Sequence, residues 1–223
     1  MQKKLFVSAL LKFLLGVVLI GVLVFLPAGT LAFWKGWLFM AVLFVPMFGA
    51  GIVMLVKNPK LLQSRLDAKE KQKDQNVVIK LSGLMFIVGF VLAGLDFRFQ
   101  WLPLPEWVTY VASAVFLLAY AMWAEVLREN TYLSRTIKVE EGQTVVDTGL
   151  YGIVRHPMYT ATLVLFLSMP FVLGSLIAFF VFLLYPVLII VRIHGEEKLL
   201  EKELPGYAEY KTKVKYRLIP FIW

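Results

Sequence analysis

Four long apolar segments determine what this chain can fold into. They cover residues 5–26, 31–56, 81–97 and 107–127. A helix rises about 1.5 Å per residue, so segments of this length can cross roughly 30 Å of hydrocarbon. A backbone surrounded by lipid must satisfy its own hydrogen bonds, and helices do so within one segment. We therefore predict four transmembrane helices.

A fifth apolar region, residues 158–193, is too long for a single crossing. Pro170 and Gly174 interrupt it and favour a turn, which predicts a hairpin of two helical segments. The predicted fold is an all-α integral membrane protein with five or six spanning segments and a small cytoplasmic cap. We expect residues 1–130 to form the substrate side and residues 131–223 to bind a cofactor.

Composition supports a membrane protein. Hydrophobic residues make up 60% of the chain and charged residues 17%, whereas soluble domains carry about a quarter charged residues. The absence of cysteine excludes disulfides, thiolate metal sites and cysteine nucleophiles. The net charge of +8 lies mostly in loops beside apolar segments, which indicates membrane topology rather than nucleic-acid binding.

Basic residues predict the orientation of the helices. With the N-terminus inside, 21 lysines and arginines lie on the inner side, and only Lys35 and Arg98 lie outside. This asymmetry places both termini in the cytoplasm. The first apolar segment has a signal-like charge pattern but no clear cleavage site, so we expect a retained helix.

The polar segments differ in their predicted structure. Residues 57–80 mix charges, as a short surface helix would. Residues 136–147 alternate β-forming side chains around a Glu-Glu-Gly-Gln turn, which predicts a small β-hairpin. Residues 196–210 predict an amphipathic helix that breaks near Pro205-Gly206, and the tail is expected at the membrane interface with Trp223 as an anchor.

Ionisable side chains collect at one mouth of the predicted hairpin. Arg155, His156 and Tyr159 precede or begin its first segment, and its second ends near Arg192, Glu196 and Glu197. The two ends of one hairpin lie close together, so these groups can surround a polar ligand. Arg192 and Glu196 are four residues apart, so a simple salt bridge is the alternative.

Other ionisable groups near the membrane are less informative. Glu125 is either a pocket carboxylate or the partner of Arg128 in an interfacial ion pair. Asp96 and Arg98 lie at the outer end of the third span, where a structural role is expected. His156 and His194 with scattered carboxylates do not make a recognisable metal site, so we expect no metal.

Three motifs resemble those of the isoprenylcysteine carboxyl methyltransferases, a family grouped with the phospholipid methyltransferases. They are QTVVDTGLYGIVRHPMY at 143–159, RIHGEE at 192–197 and GYAEYKTKVKYRLIP at 206–220. NPKLLQSRL and GLDFRF resemble prokaryotic members, which would place the chain in a prokaryotic inner membrane. The resemblance implies S-adenosylmethionine as cofactor. It implies a cofactor site made by Gln143, Thr144, Val145, Val146, Tyr151, His156, Pro157, Met158, Tyr159, Glu196 and Glu197.

The resemblance also implies roles for individual residues. Arg192 would meet the acidic group of the substrate. Apart from the resemblance, we expect Glu125, as a pocket carboxylate, to be a second candidate for substrate binding, and Arg192 and Glu196 to be the catalytic residues. The expected activity is methyl transfer to a lipophilic acceptor, a carboxylate, amine or thiol, that enters from the bilayer. Two alternatives stay open: a nicotinamide-dependent reductase of the sterol-reductase kind, and a non-catalytic transporter or assembly protein.

Overall fold

The computed structural model describes residues 2–66, 73–134 and 136–223, and the fold is all-α. Five of its helices are long and apolar enough to cross a membrane, so the protein is a multi-pass membrane protein. The helices are α1 (Gln2–Ala28), α2 (Trp34–Lys57), α3 (Pro59–Leu66), α4 (Lys73–Phe99), α5 (Glu106–Glu129), α6 (Pro157–Val172), α7 (Leu176–Phe182), α8 (Leu184–Glu203) and α9 (Tyr207–Lys213).

Helices α1, α2, α4 and α5 coincide with the four predicted spans. The predicted surface helix is α3, which begins directly after Asn58 at the end of α2. The rest of the 57–80 segment differs from the prediction, because residues from Lys73 onward already belong to α4. Residues 67–72 lie outside the described part of the chain.

The predicted hairpin is formed by α6 on one side and α7 with α8 on the other. Gly174 makes the turn, with a left-handed φ of +73° that other residues adopt only at a cost. Pro170 does not mark the turn, since it lies inside α6. The second arm breaks at Leu183, one turn before Pro186, because proline has no N–H to donate to the carbonyl of Phe182.

Aromatic side chains fill the centre of the bundle. Phe90 of α4 is 2% exposed and contacts the rings of Phe39, Phe86 and Phe182, which come from α2, α4 and α7. At the end of α4 that is farther from α3, the buried Asp96 accepts hydrogen bonds from the Ser175 hydroxyl at 2.5 Å and from the Leu102 N–H at 2.9 Å. Asp96 thus has the expected structural role of joining α4 to the hairpin turn.

Residues 131–156 and 204–223 form a cap over one end of the bundle, excluding residue 135, which is not described. The predicted β-hairpin within 136–147 is wrong, because the described residues there form no strand. The predicted turn is present: the Gln143 N–H donates to the Glu140 carbonyl at 3.1 Å. The flanking Val139 and Val145 both pack against a cluster formed by residues of α9 and the positions beside it, namely Leu204, Tyr207, Tyr210 and Val214.

The tail folds back onto the start of α6. The N–H groups of Arg155 and His156 donate to the carbonyls of Tyr216 and Arg217, both at 2.9 Å. Helix α9 follows a break at Gly206, where φ is +84°, in agreement with the predicted interruption at Pro205-Gly206. Trp223 packs on the main hydrophobic core and lies under the Arg217 guanidinium, 5.2 Å from the ring centroid.

Candidate active site

A cavity of about 460 Å³ lies where α4, α6 and α8 meet the cap. This volume is within the range of small-molecule sites. Its polar end lies under the cap, and its apolar end extends between the helices. The two ends differ in chemistry, so the cavity is suited to a polar molecule at one end and an apolar one at the other.

The Arg-His-Pro sequence positions the start of α6 beside this cavity. Pro157 is the first residue of the helix, a position where its missing N–H costs nothing. His156 immediately precedes it, and its carbonyl accepts from the N–H groups of Tyr159 and Thr160. The backbone bonds to the tail described above fix this segment, so that the Arg155 and His156 side chains are both buried.

Glu197 connects this segment to α8 and the tail. Its carboxylate accepts hydrogen bonds from Arg155 Nε at 2.7 Å and from Arg217 Nε at 3.0 Å, and His156 Nε2 lies 3.3 Å away. Arg155 also donates to the carbonyls of Val214 and Lys215. The Glu197 side chain is only 5% exposed. A buried carboxylate needs such partners, and here they hold three parts of the fold together.

Glu196, the preceding residue, faces the cavity instead. Its carboxylate accepts a hydrogen bond from the Tyr159 hydroxyl, and that hydroxyl accepts one from Arg192 Nε at 3.0 Å. Arg192, Tyr159 and Glu196 all line the cavity. The structure therefore places a tyrosine hydroxyl between the two groups for which the sequence suggested a simple salt bridge.

The opposite wall at the polar end is the extended segment 143–146, which follows the Glu140–Gln143 turn. Gln143, Thr144, Val145 and Val146 all line the cavity. The Gln143 side-chain oxygen accepts the Glu140 N–H at 2.9 Å, which fixes the turn. An irregular extended segment leaves backbone N–H and C=O groups for a ligand, because no ladder consumes them.

Two buried phenols, those of Tyr151 and Tyr207, line the same wall. The Tyr207 hydroxyl has no hydrogen-bond partner in the described part of the chain, whereas the Asn130 side chain lies beside the Tyr151 hydroxyl. Burial raises the pKa of each phenol, so both stay protonated at neutral pH and can donate. A buried polar group left unpaired costs free energy, which a ligand with acceptor atoms would recover.

The apolar end of the cavity lies between the membrane helices. Val78, Ile79 and Phe86 come from α4, Phe166 from α6 and Ile189 from α8. Tyr185, also in the lining, donates its hydroxyl hydrogen to Thr162 at 2.9 Å, so this polar pair is satisfied within the wall. Ser82 of α4 also lines this part and donates its hydroxyl hydrogen to the Val78 carbonyl at 2.8 Å, so the surface offered to a ligand is mainly apolar, which suits a hydrocarbon group.

The structure brings most of the predicted site residues together. The cavity is lined by Gln143, Thr144, Val145, Val146, Tyr151, His156, Met158, Tyr159, Arg192 and Glu196. Pro157 and Glu197 are not in the lining, and both instead support it from behind. Glu125 is elsewhere: it forms an exposed pair with Arg128, whose Nε lies 2.8 Å from its carboxylate. Of its two suggested roles, the structure supports the interfacial ion pair.

Sequence reasoning missed several lining residues. Arg65 of α3 reaches the cavity, with its guanidinium 5.6 Å from the Trp123 ring centroid and bonded to the Ser134 carbonyl. Lys138 and Tyr207 were missed as well. Arg65 lies in a charge-mixed stretch that resembles a solvated surface, so its sequence gave no signal. Tyr207 belongs to the GYAEY motif and could have been found there.

No group of three or more His, Asp or Glu side chains that could hold a metal ion occurs among residues 2–66, 73–134 and 136–223. The basic and aromatic groups of the cavity are instead suited to an organic ligand. Arginine, tyrosine and backbone donors recognise carboxylates and hydroxyls, and aromatic faces attract cations.

Comparison with known proteins gives two kinds of match. The pattern of the isoprenylcysteine carboxyl methyltransferase (ICMT) family matches residues 110–202. A Delta(14)-sterol reductase from Mus musculus is 33% identical over 91 residues, which cover 40% of this chain and 22% of the reductase. A Delta(14)-sterol reductase from Methylotuvimicrobium alcaliphilum is 26% identical over 135 residues, 54% of this chain and 32% of the reductase.

The chain thus spans about a third or less of the length of these curated relatives. The family match has a different extent: it begins in α5 and runs through α6 and the cavity-lining part of α8. It includes the 143–159 and 192–197 motifs and therefore most of the polar end of the site. Residues 110–202, which carry most of the polar end of the cavity, are thus similar to the isoprenylcysteine carboxyl methyltransferase family.

Proposed function

We propose that this protein transfers a methyl group from S-adenosylmethionine to a lipophilic acceptor at the cytoplasmic membrane interface. The observation that carries the proposal is the two-ended cavity. Glu196, the 143–146 segment and the phenols of Tyr151 and Tyr207 form a polar end, and an apolar end extends between α4, α6 and α8. A polar cofactor and a lipid-like acceptor need these two environments side by side.

The polar end fits the chemistry of the cofactor. Glu196 would accept from the ribose hydroxyls or pair with the amino group, and the hydroxyls of Tyr151 and Tyr207 would donate to acceptor atoms. The aromatic faces of Tyr151 and Tyr159 would stabilise a cation. S-adenosylmethionine, when bound, supplies an electrophilic methyl group that passes to the acceptor as its carbon–sulfur bond breaks.

The chain itself contributes mainly positioning. An in-line displacement depends on holding the two reactants at the correct distance and angle. Arg192 would orient an acidic acceptor, and the Tyr159 hydroxyl links it to Glu196 in the cofactor site. A carboxylate acceptor needs no general base, whereas an amine or thiol must lose a proton first.

The residues that line each end of the cavity indicate which parts of the chain would bind the cofactor and which would bind the acceptor. Residues 131–223 would hold the cofactor, as the cap and α8 form the polar end. The substrate side would not be residues 1–130 alone, because the apolar end combines α4 with α6 and α8. We propose that the acceptor enters this end laterally from the bilayer, with both termini of the protein in the cytoplasm.

A nicotinamide-dependent reductase is the second candidate. Two observations favour it: the similarity to two sterol reductases and the presence of Arg65 and Lys138 in the cavity lining. Extra cations could bind the phosphates of a nicotinamide cofactor. Against this, Lys138 is already paired with Glu140 at 2.8 Å, and the family match covers the polar end.

A ligand titration distinguishes the two candidates. Purified protein in detergent is heated with increasing S-adenosylhomocysteine or with NADPH, and the midpoint of unfolding is measured. A ligand that binds only the folded state stabilises it by RT ln(1 + c/Kd), where c is the free ligand concentration, so the midpoint rises continuously with ligand concentration. We expect a dose-dependent rise with S-adenosylhomocysteine alone. A rise with NADPH and none with S-adenosylhomocysteine would contradict the methyltransferase and support the reductase.

A further inference from the structure

A second depression lies on the same side of the bundle as the active-site cavity, between the N-terminal part of α1, α3 and the cap. We call it the α1–α3 groove. It is large, about 1160 Å³, and open to its surroundings. Its basic residues are Lys4 and Lys12 from α1, Lys60 from α3 and Lys138 from the cap, and its acidic residues are Glu140 and Glu141.

Among the described residues that line it, the groove carries excess positive charge. The ion pair between Lys138 and Glu140, at 2.8 Å, neutralises one lysine within the wall. The positive charges that are left are those of Lys4, Lys12 and Lys60, and the negative charge that is left is that of Glu141. Lys12 donates to the carbonyl of Leu66 at 2.8 Å, which holds its ammonium group at the edge of the groove beside the C-terminus of α3. The side-chain amides of Asn58 and Gln63 add N–H donors, whereas the Ser64 hydroxyl is already donated to the Leu61 carbonyl at 2.9 Å.

Apolar surface adjoins the charged surface. Leu5 and Leu61 lie in the groove itself. Next to it, Leu11 of α1 is 62% exposed and Val56 at the end of α2 is 73% exposed. In a multi-pass membrane protein such surfaces contact acyl chains. A ligand that satisfies both parts must have an anionic head and hydrocarbon chains.

We infer that the α1–α3 groove binds the headgroup of an anionic membrane lipid. Its phosphate would lie among Lys4, Lys12 and Lys60, with the acyl chains along the exposed faces of α1 and α2. The inference concerns a site separate from the active-site cavity. The two share only Tyr132 and Lys138 in their walls, so a bound headgroup would lie directly behind the wall of the cavity.

The test measures lipid binding without any cofactor, so its outcome is independent of the proposed methyl transfer. Purified protein in neutral detergent is heated with short-chain phosphatidylglycerol, short-chain phosphatidylcholine or inorganic phosphate. We expect phosphatidylglycerol to raise the unfolding midpoint in a dose-dependent way, and phosphatidylcholine to raise it much less. If phosphatidylcholine raises the midpoint as much as phosphatidylglycerol does, the groove does not select an anionic headgroup. If inorganic phosphate raises the midpoint as much as phosphatidylglycerol does, the groove is an anion site rather than a lipid site.

A pair of variants locates the effect. A basic residue strengthens attraction of an anionic lipid by about fivefold, so Lys4→Gln with Lys60→Gln should weaken phosphatidylglycerol binding by about ten- to thirtyfold. The matched control is Lys198→Gln with Lys202→Gln, which removes two exposed lysines of α8 outside the groove. Similar losses in both double variants would indicate general surface charge and overturn the proposed site.

Discussion

Glu196 and Glu197 are adjacent in α8, yet their carboxylates lie in different environments. Glu196 lines the cavity and accepts from Tyr159, whereas Glu197 is buried 2.7 Å from Arg155 Nε. Successive residues of a helix point about 100° apart, so one faces the ligand space and the other faces the tail. This relationship predicts that the two carboxylates differ in what their loss affects.

Glu197→Gln should reduce stability strongly. The substitution leaves the Arg155 guanidinium, which is 5% exposed, without its counter-charge. Breaking a buried ion pair by removing one partner costs about 3–5 kcal/mol. The measurement is the unfolding midpoint in detergent. Glu209→Gln serves as control, since that side chain is exposed and pairs with the exposed Lys213 at 3.0 Å. A midpoint as high as in the control would show that the Glu197 network contributes little.

Glu196→Gln should leave the unfolding midpoint close to that of the parent protein and weaken the binding of S-adenosylhomocysteine. A hydrogen bond to a charged group contributes about 1.5–3 kcal/mol, which is about ten- to a hundredfold in affinity. Calorimetric titration of purified protein measures this directly. Glu125→Gln is the matched control on the surface of α5, and Arg192→Ala should change the affinity only a few-fold. If Glu196→Gln and Arg192→Ala lose the same affinity for S-adenosylhomocysteine, Glu196 and Arg192 act as a purely structural pair.

Tyr207 and Tyr210 provide a second contrast, between a hydroxyl awaiting a ligand and one already used by the fold. The Tyr207 hydroxyl has no partner among the described residues, while the Tyr210 hydroxyl donates to the Tyr151 carbonyl at 2.7 Å. Tyr207→Phe should therefore preserve stability and weaken the binding of S-adenosylhomocysteine several-fold. Tyr210→Phe should lower the midpoint, because it leaves a buried carbonyl unpaired. Unchanged affinity in Tyr207→Phe would place the cofactor away from this wall.

Membrane orientation can be measured by cysteine labelling, because the chain has no cysteine. The basic-residue asymmetry predicts that Leu31 lies outside and that Glu141 and Lys202 lie inside. An impermeant thiol reagent applied to intact cells should label Leu31→Cys and neither Glu141→Cys nor Lys202→Cys. Gly174 is unsuitable as an outside position, since any side chain there would meet Lys35 and strain a positive φ. Labelling only at 141 and 202 would reverse the orientation.

The sequence by itself determined the elements of the fold that lipid dictates. Helix length, apolar composition and the internal satisfaction of backbone hydrogen bonds are local properties, and α1, α2, α4 and α5 follow from them. The break near Gly206 was also predictable, because it depends on the conformational preferences of one Pro-Gly pair. The residues of the polar end could be nominated from the motif, since the two ends of one hairpin must meet.

Tertiary structure decided everything that depends on distant partners. Residues 136–147 alternate like a hairpin, but Val139 and Val145 pack on the cluster around α9, so no ladder forms. Arg65 lines the cavity only because α3 returns to the cap, a contact between segments about 70 residues apart. Glu196 and Glu197 are adjacent and chemically identical. Because α8 packs between the cavity and the tail, Glu196 faces the cavity and Glu197 pairs with Arg155. Burial and partner choice are set by the whole fold, which is why one-dimensional patterns do not specify them.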